Sequence, residues 1–384
     1  MTRRTLWGVM VGLLLLTLLG GSGPSPALTP ALQHERDALM RDGEAALAQG
    51  RAQSAVHRFE RAVSLQHTAD AEIALVRALL QGGQYAQAST YAAHTAGAHR
   101  QVAEGALLYG TLLALGGQTA AARRLLDEAA GRFPDDDAIA ALRERIGRGE
   151  APDGVGAAVR LRPFAVGEAV PAGARVVASG TLIDGGRHAL VPLEVLAAGR
   201  RTWVRNGLGR TVAARVERRL PALGLAVLAL RPALQVRSLP RALGDEAVEV
   251  PLPALAPRDP FPGSPGHVLL YRPADDAAPA WPQLHAGFLG TPLGSGTAGP
   301  RRLGIDTPEG VRGGPVLDPA GRWIGVALGG APGGRLVPVS ALRAALGAMA
   351  GEVAAAPADA AARPGADGLY ETGLRVALQV LSAR

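Results

Sequence analysis

The clearest indication of the fold of the C-terminal half is Gly310-Val311-Arg312-Gly313-Gly314-Pro315-Val316-Leu317, followed by Gly321-Arg322-Trp323-Ile324-Gly325-Val326. Its glycines are typical of a tight loop, because they allow backbone conformations that other residues avoid. The apolar runs 315–317 and 323–326 are separated by turn residues, which is the pattern of two paired strands. The stretch therefore predicts a glycine-rich loop that leads into a β-hairpin.

Short β-type runs extend outward from this loop on both sides. The predicted strands are Arg175–Ile183, Ala189–Leu196, Thr202–Val204, Thr211–Val216, Leu225–Ala229, Val248–Val250, Val268–Tyr271, Val316–Leu317, Trp323–Ala327 and Leu336–Val339. Glycine and proline interrupt them at short intervals, and a helical pattern returns only at Ser340–Met349. Many short strands separated by turns indicate a closed all-β architecture, a barrel or a pair of barrels.

Three phrases carry a resemblance to a known family. They are Ser179-Gly180-Thr181-Leu182-Ile183-Asp184-Gly185-Gly186-Arg187-His188-Ala189-Leu190, Leu225-Ala226-Val227-Leu228, and the loop 310–317 with its following strand. In this order they resemble the opening hairpin, the strand after the catalytic Asp, and the nucleophile loop of trypsin-like peptidases of the bacterial HtrA type. The closing run 336–340 also resembles that family. The resemblance covers residues 155–347 and implies a trypsin-like double β-barrel over 174–349.

The resemblance also assigns the three positions of a catalytic triad. Glu194 stands at the position of the His, Gly224 at that of the Asp, and Arg312 at that of the nucleophilic Ser. A serine protease needs a hydroxyl, a base for its proton and a carboxylate that orients the base. A guanidinium is not an acyl acceptor and cannot be deprotonated in proteins. The sequence therefore predicts a pseudopeptidase, with no catalytic residue.

In the parent fold the loop supplies backbone N–H groups to an oxyanion hole, and the alignment gives Gly310, Arg312 and Gly313 as the retained loop. The same glycines also serve the turn, so a purely structural role is the other interpretation. The alignment places the side chains of Glu194 and Arg312 across one cleft. Either the two side chains form an ion pair, with the room beside Gly224 left vacant, or both point outward to solvent.

Other residues could replace the triad only if the alignment is wrong. The candidates are His188, His267, His285, Ser264 and Ser295, and neither serine lies in a Gly-x-Ser-x-Gly motif. No His pair has the ligand spacing of a helix or hairpin, and the chain has no cysteine, so we predict no metal site and no cofactor.

Residues 36–134 contain a repeat. Gly50, Gly83 and Gly117 each precede an alanine (Ala55, Ala88, Ala122) by five residues, and the glycines recur after 33 and 34 residues. This is the period of a helix-turn-helix solenoid, and the stretch resembles tetratricopeptide repeats. Three repeats are predicted over 35–148, closed by a helix over Ala138–Arg148 that one of Asp135, Asp136 and Asp137 caps.

The tetratricopeptide resemblance implies a concave groove that binds peptides. Its inner-face residues would be Asp37, Glu44, Asp70, Arg77 and Glu104. This set has no basic clamp for a C-terminal carboxylate. A spacer or dimerisation module without a specific peptide is the alternative interpretation.

The two ends of the chain carry further signals. Arg3 and Arg4 precede the apolar run Leu6–Leu19 and small residues up to Ala27, so residues 1–27 are predicted to be a signal peptide or an inner-membrane anchor. We therefore expect the protein in the periplasm or elsewhere outside the cytoplasm. Residues 149–173 are predicted to be a linker and 350–384 an Ala/Pro-rich tail. Within that tail, 369–381 resembles the helix and first strand of a trypsin-like domain, either a remnant or an element added to the first barrel.

Charge and composition restrict the partners. The net charge is +7, the 40 basic residues are all Arg, and only 4% of residues are aromatic, so no nucleic-acid partner is expected. Seven Arg at positions 200, 201, 205, 210, 215, 218 and 219 are predicted to lie mostly on a solvent face, or to meet an acidic envelope partner.

These observations predict an exported scaffold that binds a polypeptide or envelope protein through the repeat groove, the former peptidase cleft, or both. The alternative is an enzyme, a divergent serine endopeptidase of the cell envelope. A purely structural assembly subunit is the third.

Overall fold

The computed structural model describes residues 28–150, 152, 162–234, 250–293, 299–308, 310–329, 334–354 and 364–384. The predicted signal segment 1–27, linker residues 153–161, most of the run Val248–Val250, Ser295 and tail residues 355–363 lie outside the described part. Among the helices that the structure describes, none combines the length and the apolar character that a membrane crossing needs.

The N-terminal half is helical. Its helices are α1 (Pro30–Ala48), α2 (Ala52–Leu65), α3 (Ala69–Gln81), α4 (Tyr85–Ala98), α5 (Ala103–Leu115), α6 (Thr119–Arg132) and α7 (Asp137–Gly147). Each packs on the next as an antiparallel hairpin, which gives a repeat-like solenoid. Asp136 caps α7, because its side chain accepts a hydrogen bond from the N–H of Ile139 at 2.9 Å.

The repeated glycines and alanines have the roles that their spacing predicts. Gly50, Gly83 and Gly117 adopt φ values of 72°, 77° and 77° in the turns between paired helices, a conformation that glycine tolerates best. Ala55, Ala88 and Ala122 are fully buried. Small side chains at these positions let two helices approach closely. The same spacing of Gly and Ala therefore accounts for all three helical hairpins.

The C-terminal half is β-rich. Its strands are β1 (Val166–Gly167), β2 (Arg175–Ile183), β3 (His188–Pro192), β4 (Arg201–Asn206), β5 (Arg210–Leu220), β6 (Leu225–Arg231), β7 (Pro265–Leu270), β8 (Gln283–Phe288), β9 (Arg301–Arg302), β10 (Pro315–Leu317), β11 (Trp323–Leu328), β12 (Arg335–Pro338) and β13 (Ala377–Ala383). Two helices accompany them, α8 (Val339–Leu346) and α9 (Ala366–Val376).

Two sheets build the β domain, the first as a closed barrel and the second as a half-barrel. The first is a closed ring in the order β5-β4-β13-β2-β3-β6, because β6 also pairs with β5, and β1 adds to the outer edge of β5. The second sheet has the order β8-β7-β10-β11-β12-β9. The chain thus has the predicted fold class, a helical solenoid followed by a trypsin-like double β-barrel.

Several strand boundaries differ from the sequence-based expectation. Strand β3 ends at Pro192, and Leu193–Val195 forms a short 3-10 turn instead of continuing the strand to 196. The N–H of Leu193 donates to the carbonyl oxygen of Gly224 at 2.9 Å, which ties this turn to the start of β6. Strand β8 was not predicted, because proline and glycine surround it and its alternation is weak.

The C-terminal segment lies within the first barrel. Strand β13 is antiparallel to both β2 and β4 and fills the gap between them. All of its residues are buried. Residues 377–383 are therefore neither a tail nor a remnant. They supply a strand without which the ring would be open.

Helix α9 joins the two halves of the molecule. The rings of Tyr370 in α9 and Tyr85 in α4 lie 4.2 Å apart, centroid to centroid. Glu371 accepts a hydrogen bond from the N–H of Ala86 at 3.0 Å, and Arg375 donates to the carbonyl oxygen of Gly83 at 3.2 Å. One hydrophobic core runs from the solenoid into the second barrel. The solenoid is therefore docked on the β domain.

Candidate functional site

The three positions that the alignment assigned to the triad lie near one another. Glu194 is in the 3-10 turn after β3, and Gly224 directly precedes β6 with φ of 68°. Arg312 is in the loop before β10, and its carbonyl oxygen accepts a hydrogen bond from the N–H of Ser179 in β2 at 2.7 Å. Backbone hydrogen bonds to the first barrel thus hold both segments at the junction of the two barrels.

The predicted ion pair is present. Arg312 Nε lies 3.6 Å from Glu194 Oε1, and the two side chains are 48% and 58% exposed. A pair this open to water contributes about 0–1 kcal/mol to stability, because solvent screens the charges and both long side chains lose rotamer freedom. Its significance is therefore positional: an acid and a base face each other across the cleft.

The space beside Gly224 is not vacant, and that expectation was wrong. A Cβ built on Gly224 would lie 2.5 Å from Nη2 of Arg335, which starts β12. The side chain of Arg335 therefore occupies the volume that a residue larger than glycine would need. The left-handed backbone at Gly224 adds strain for any other residue.

The glycine-rich loop holds the two barrels together. A Cβ on Gly313 would lie 2.0 Å from the carbonyl oxygen of Ser179, and one on Gly314 would lie 2.4 Å from that of Leu269. These two glycines are needed for close approach. Gly310 also has a positive φ, of 78°, but a Cβ there would meet nothing within 4 Å. Among the described residues, the N–H groups of Arg312 and Gly313 have no backbone partner.

A solvent-open cavity of about 540 Å³ lies at this junction. It is lined by Arg175, Val176, Val177, Glu194, Val195, Ala197, Pro273, Ala274, Asp275, Gly310 and Arg312. Both barrels contribute to the lining. The charged side chains are two bases and two acids, and the remaining lining is mostly apolar. The cavity therefore has mostly apolar walls, with opposite charges at Glu194 and Arg312.

The alternative histidines and serines do not form a second triad among the described residues. His188 Nδ1 and Nε2 contact Asp184 at 2.7 Å and Glu217 at 3.0 Å. His267 lies on β7 and His285 on β8. Burial lowers the pKa of His267, and it lowers the pKa of His285 to about 4. No described serine hydroxyl is hydrogen-bonded to a histidine ring, Ser264 included.

The predicted peptide-binding face of the solenoid carries a segment of this chain. Arg77 binds Glu44 at 2.7 Å, and its guanidinium lies 5.9 Å from the ring centre of Phe164. Gln81 makes two hydrogen bonds with the backbone of Phe164, at 3.1 and 3.0 Å. This part of the groove is therefore occupied from within.

Among the other predicted inner-face residues, Asp70 and Asp37 interact with neighbouring side chains of the solenoid. Asp70 binds Arg36 at 2.5 Å, Asp37 accepts from Gln33, and Glu104 lies half-buried in the first turn of α5. Of the predicted inner-face residues, Arg77 and Glu44 thus contact each other. The prediction missed Phe164, which lies outside the repeats in sequence.

The arginine run follows the predicted solvent face with one exception. Arg205 in β4 is only 3% exposed and donates to Thr211 Oγ1 at 2.8 Å and to the carbonyl oxygen of Ala277 at 2.6 Å. The side chain of Arg201 lies over the ring of Trp203. Arg205 therefore has a structural role, and the others along β5 are exposed.

Comparison with known proteins gives likeness in structure only. No protein-family model matches the chain, and no curated protein matches it. The MamO protease domain from Magnetospirillum magneticum is 20% identical and covers 46% of this chain and 92% of that one, with a TM-score of 0.33. The active form of the Rv3671c protease from M. tuberculosis is 18% identical and covers 48% and 82%, with a TM-score of 0.33.

Proposed function

We propose that this chain is an exported binding protein whose trypsin-like domain has lost its catalytic triad and holds an extended polypeptide in the cleft between its barrels. The observation that carries this proposal is the ion pair of Glu194 and Arg312 in the lining of the cleft. Neither side chain can serve as a serine-type nucleophile, and a glycine at 224 supplies no carboxylate to orient a base.

The lining of the cleft supports a polypeptide as the ligand. Val176, Val177, Val195 and Pro273 offer apolar contacts, and the two acids balance the two bases. A nucleic acid would need an excess of positive charge at its site, with aromatic side chains for stacking. An extended chain with alternating side chains can use apolar walls and a polar centre together.

We also propose that helices α1–α7 are tetratricopeptide repeats and that residues 1–27 direct the chain to the periplasm. The repeat period and the buried alanines support the first proposal. The two arginines before the apolar run Leu6–Leu19 support the second. In this arrangement the solenoid, docked through α9, positions the cleft relative to other envelope proteins.

A bulky side chain in the cleft should block binding. Ala197 is exposed and lines the cavity, whereas Ala198 is exposed and outside its lining. We expect Ala197→Trp to weaken binding of fluorescently labelled, unfolded β-casein at least about tenfold, which corresponds to about 1.4 kcal/mol. Fluorescence anisotropy with the full chain measures the affinity.

Ala198→Trp is the matched control, since it adds the same surface bulk one residue away. Equal affinities for both tryptophan variants and the wild type would show that the cleft does not hold the polypeptide. A loss in both variants would point to a general effect of tryptophan on this turn.

No hydrolysis is expected. A fluorophosphonate probe should leave the protein unlabelled, under conditions in which trypsin in a parallel sample is labelled fully. Arg312→Ser should remain unlabelled too, because Glu194 and Gly224 still provide no base and no orienting carboxylate. Casein turnover that persists through purification and disappears in Ser264→Ala, or in another single serine variant, would instead establish the divergent endopeptidase.

The occupied inner face of the solenoid favours a second candidate, a structural assembly subunit. Phe164 and its two hydrogen bonds to Gln81 use the face that a bound peptide would need. In this case a partner binds elsewhere on the solenoid. If the wild-type chain does not bind β-casein, this candidate is favoured over the first.

A further inference from the structure

Three histidines surround one buried glutamate in the solenoid. Glu72 lies in α3, His67 in the connection before α3, and His94 and His99 at the end of α4 and directly after it. The distances to Glu72 Oε1 are 2.8 Å from His67 Nδ1, 3.6 Å from His94 Nε2 and 3.5 Å from His99 Nε2. The cluster thus joins three consecutive segments of the second repeat.

Glu72, His94 and His99 have buried polar atoms that lack a hydrogen bond of good geometry among the described residues. The exposed fraction of Glu72 is 0%, and neither of its carboxylate oxygens has a hydrogen bond of good distance and angle among the described residues. The same is true of Nε2 in His94 and His99. An unsatisfied buried polar group costs about 1–3 kcal/mol, and a charged one costs more, so an arrangement of several calls for a compensating ligand.

We propose that His67, Glu72 and His99 bind a divalent transition-metal ion of the Zn²⁺ type, with His94 beside the fourth coordination position. Their ligand atoms all lie within 4.8 Å of one another. Two ligand atoms on a tetrahedral zinc ion lie about 3.3 Å apart, given metal–ligand distances of about 2.0–2.2 Å. The two separations from Glu72, 2.8 and 3.5 Å, lie on either side of this value, and the ligand atoms of His67 and His99 lie within 4.8 Å of each other.

The donor set selects the class of metal. Imidazole nitrogens suit zinc, copper and nickel, whereas calcium and magnesium prefer sites built from oxygen atoms. The His67 side chain is 42% exposed, which gives an ion a route from solvent.

A bound ion would stabilise the second repeat, which contacts the β domain. The same two helices carry Gln81, Tyr85 and Ala86, which contact Phe164, Tyr370 and Glu371. Cross-linking the start of α3 to the end of α4 restricts their relative movement. The metal is therefore structural in this proposal, and the proposal does not depend on what the cleft binds.

The test is zinc binding by the full chain, purified with a tag that contains no histidine and treated with a chelator. Isothermal titration calorimetry should show one Zn²⁺ per chain, and the melting temperature should rise with Zn²⁺ concentration. His67→Ala, Glu72→Gln and His99→Ala should each weaken binding by about 100-fold or more, since loss of a partner that merely orients a ligand already costs about 10–100-fold. His94→Ala should weaken it less.

His34→Ala is the matched control, because His34 is an exposed histidine of the same solenoid, outside the cluster. Circular dichroism checks that each variant is folded. If Glu72→Gln does not fold, the zinc affinity of folded His99→Ala provides the test. Absence of stoichiometric Zn²⁺ binding to the wild type would overturn the proposal and leave a buried ion-pair cluster. Binding that survives in His67→Ala and His99→Ala would overturn it as well.

Discussion

A chain that ends at residue 365 should fail to form the first barrel. The truncation removes α9 and β13, so strands β2 and β4 lose the strand that pairs with both of them. Their backbone N–H and C=O groups would then face each other across a gap. An open pair of strand edges is also a template for aggregation.

The energetic loss is as large as the stability of a whole domain. Leu378, Val380 and Leu381 are fully buried, and each contributes about 1.5–3 kcal/mol through burial of its side chain. The lost strand pairing and the lost α9 contacts add to this, so the loss lies within the range of roughly 5–15 kcal/mol that typically separates folded from unfolded domains. We expect the truncated chain to aggregate or to lose its cooperative thermal transition, as measured by circular dichroism and size-exclusion chromatography.

A point variant provides the graded version of this experiment. Leu378→Ala leaves the strand in place and should lower the free energy of unfolding by about 2–5 kcal/mol. Leu32→Ala changes an exposed leucine at the start of the solenoid and should have little effect. A truncated chain that melts at the temperature of the full chain would show that β13 is not part of the barrel.

Tyr370→Ala should produce the second largest effect. The Tyr370 ring is fully buried, contacts Tyr85 of the solenoid, and its hydroxyl donates to the carbonyl oxygen of Pro282 at 2.7 Å. Removing a buried aromatic side chain costs about 3–5 kcal/mol, because the lost contacts leave a cavity. Here the cavity would lie between the solenoid and the β domain, so we expect both a lower melting temperature and faster proteolysis at their junction.

Tyr370→Phe separates the ring from the hydroxyl, and it should cost only about 0.5–1.5 kcal/mol for the hydrogen bond. Phe261→Ala removes a ring that is 61% exposed and serves as the control for loss of an aromatic residue. Chemical denaturation of the four proteins gives the free energies. If Tyr370→Ala resembles Phe261→Ala, the contact between the two halves contributes little to stability.

Short-range patterns in the sequence determined much of this structure. Gly50, Gly83 and Gly117 with their partner alanines predicted the helical hairpins, because a turn conformation and a close helix crossing each depend on one small residue. The double barrel was predicted from the family resemblance that the loop around Gly313 and Gly314 helps to carry. In the structure, only glycine at these two positions fits against the carbonyl oxygens of Ser179 and Leu269. The order of the three phrases was sufficient to bring Glu194 and Arg312 to one cleft.

Contacts between residues distant in the sequence could not be predicted from local patterns and are known only from the tertiary structure. There are three such contacts: β13 lies between β2 and β4, Phe164 lies on the inner face of the solenoid, and the Arg335 side chain lies beside Gly224. The cluster of His67, Glu72, His94 and His99 was missed because its members come from separate segments, with no ligand spacing within any one of them. Local patterns specify local geometry, whereas a strand position or a ligand set depends on how whole elements pack.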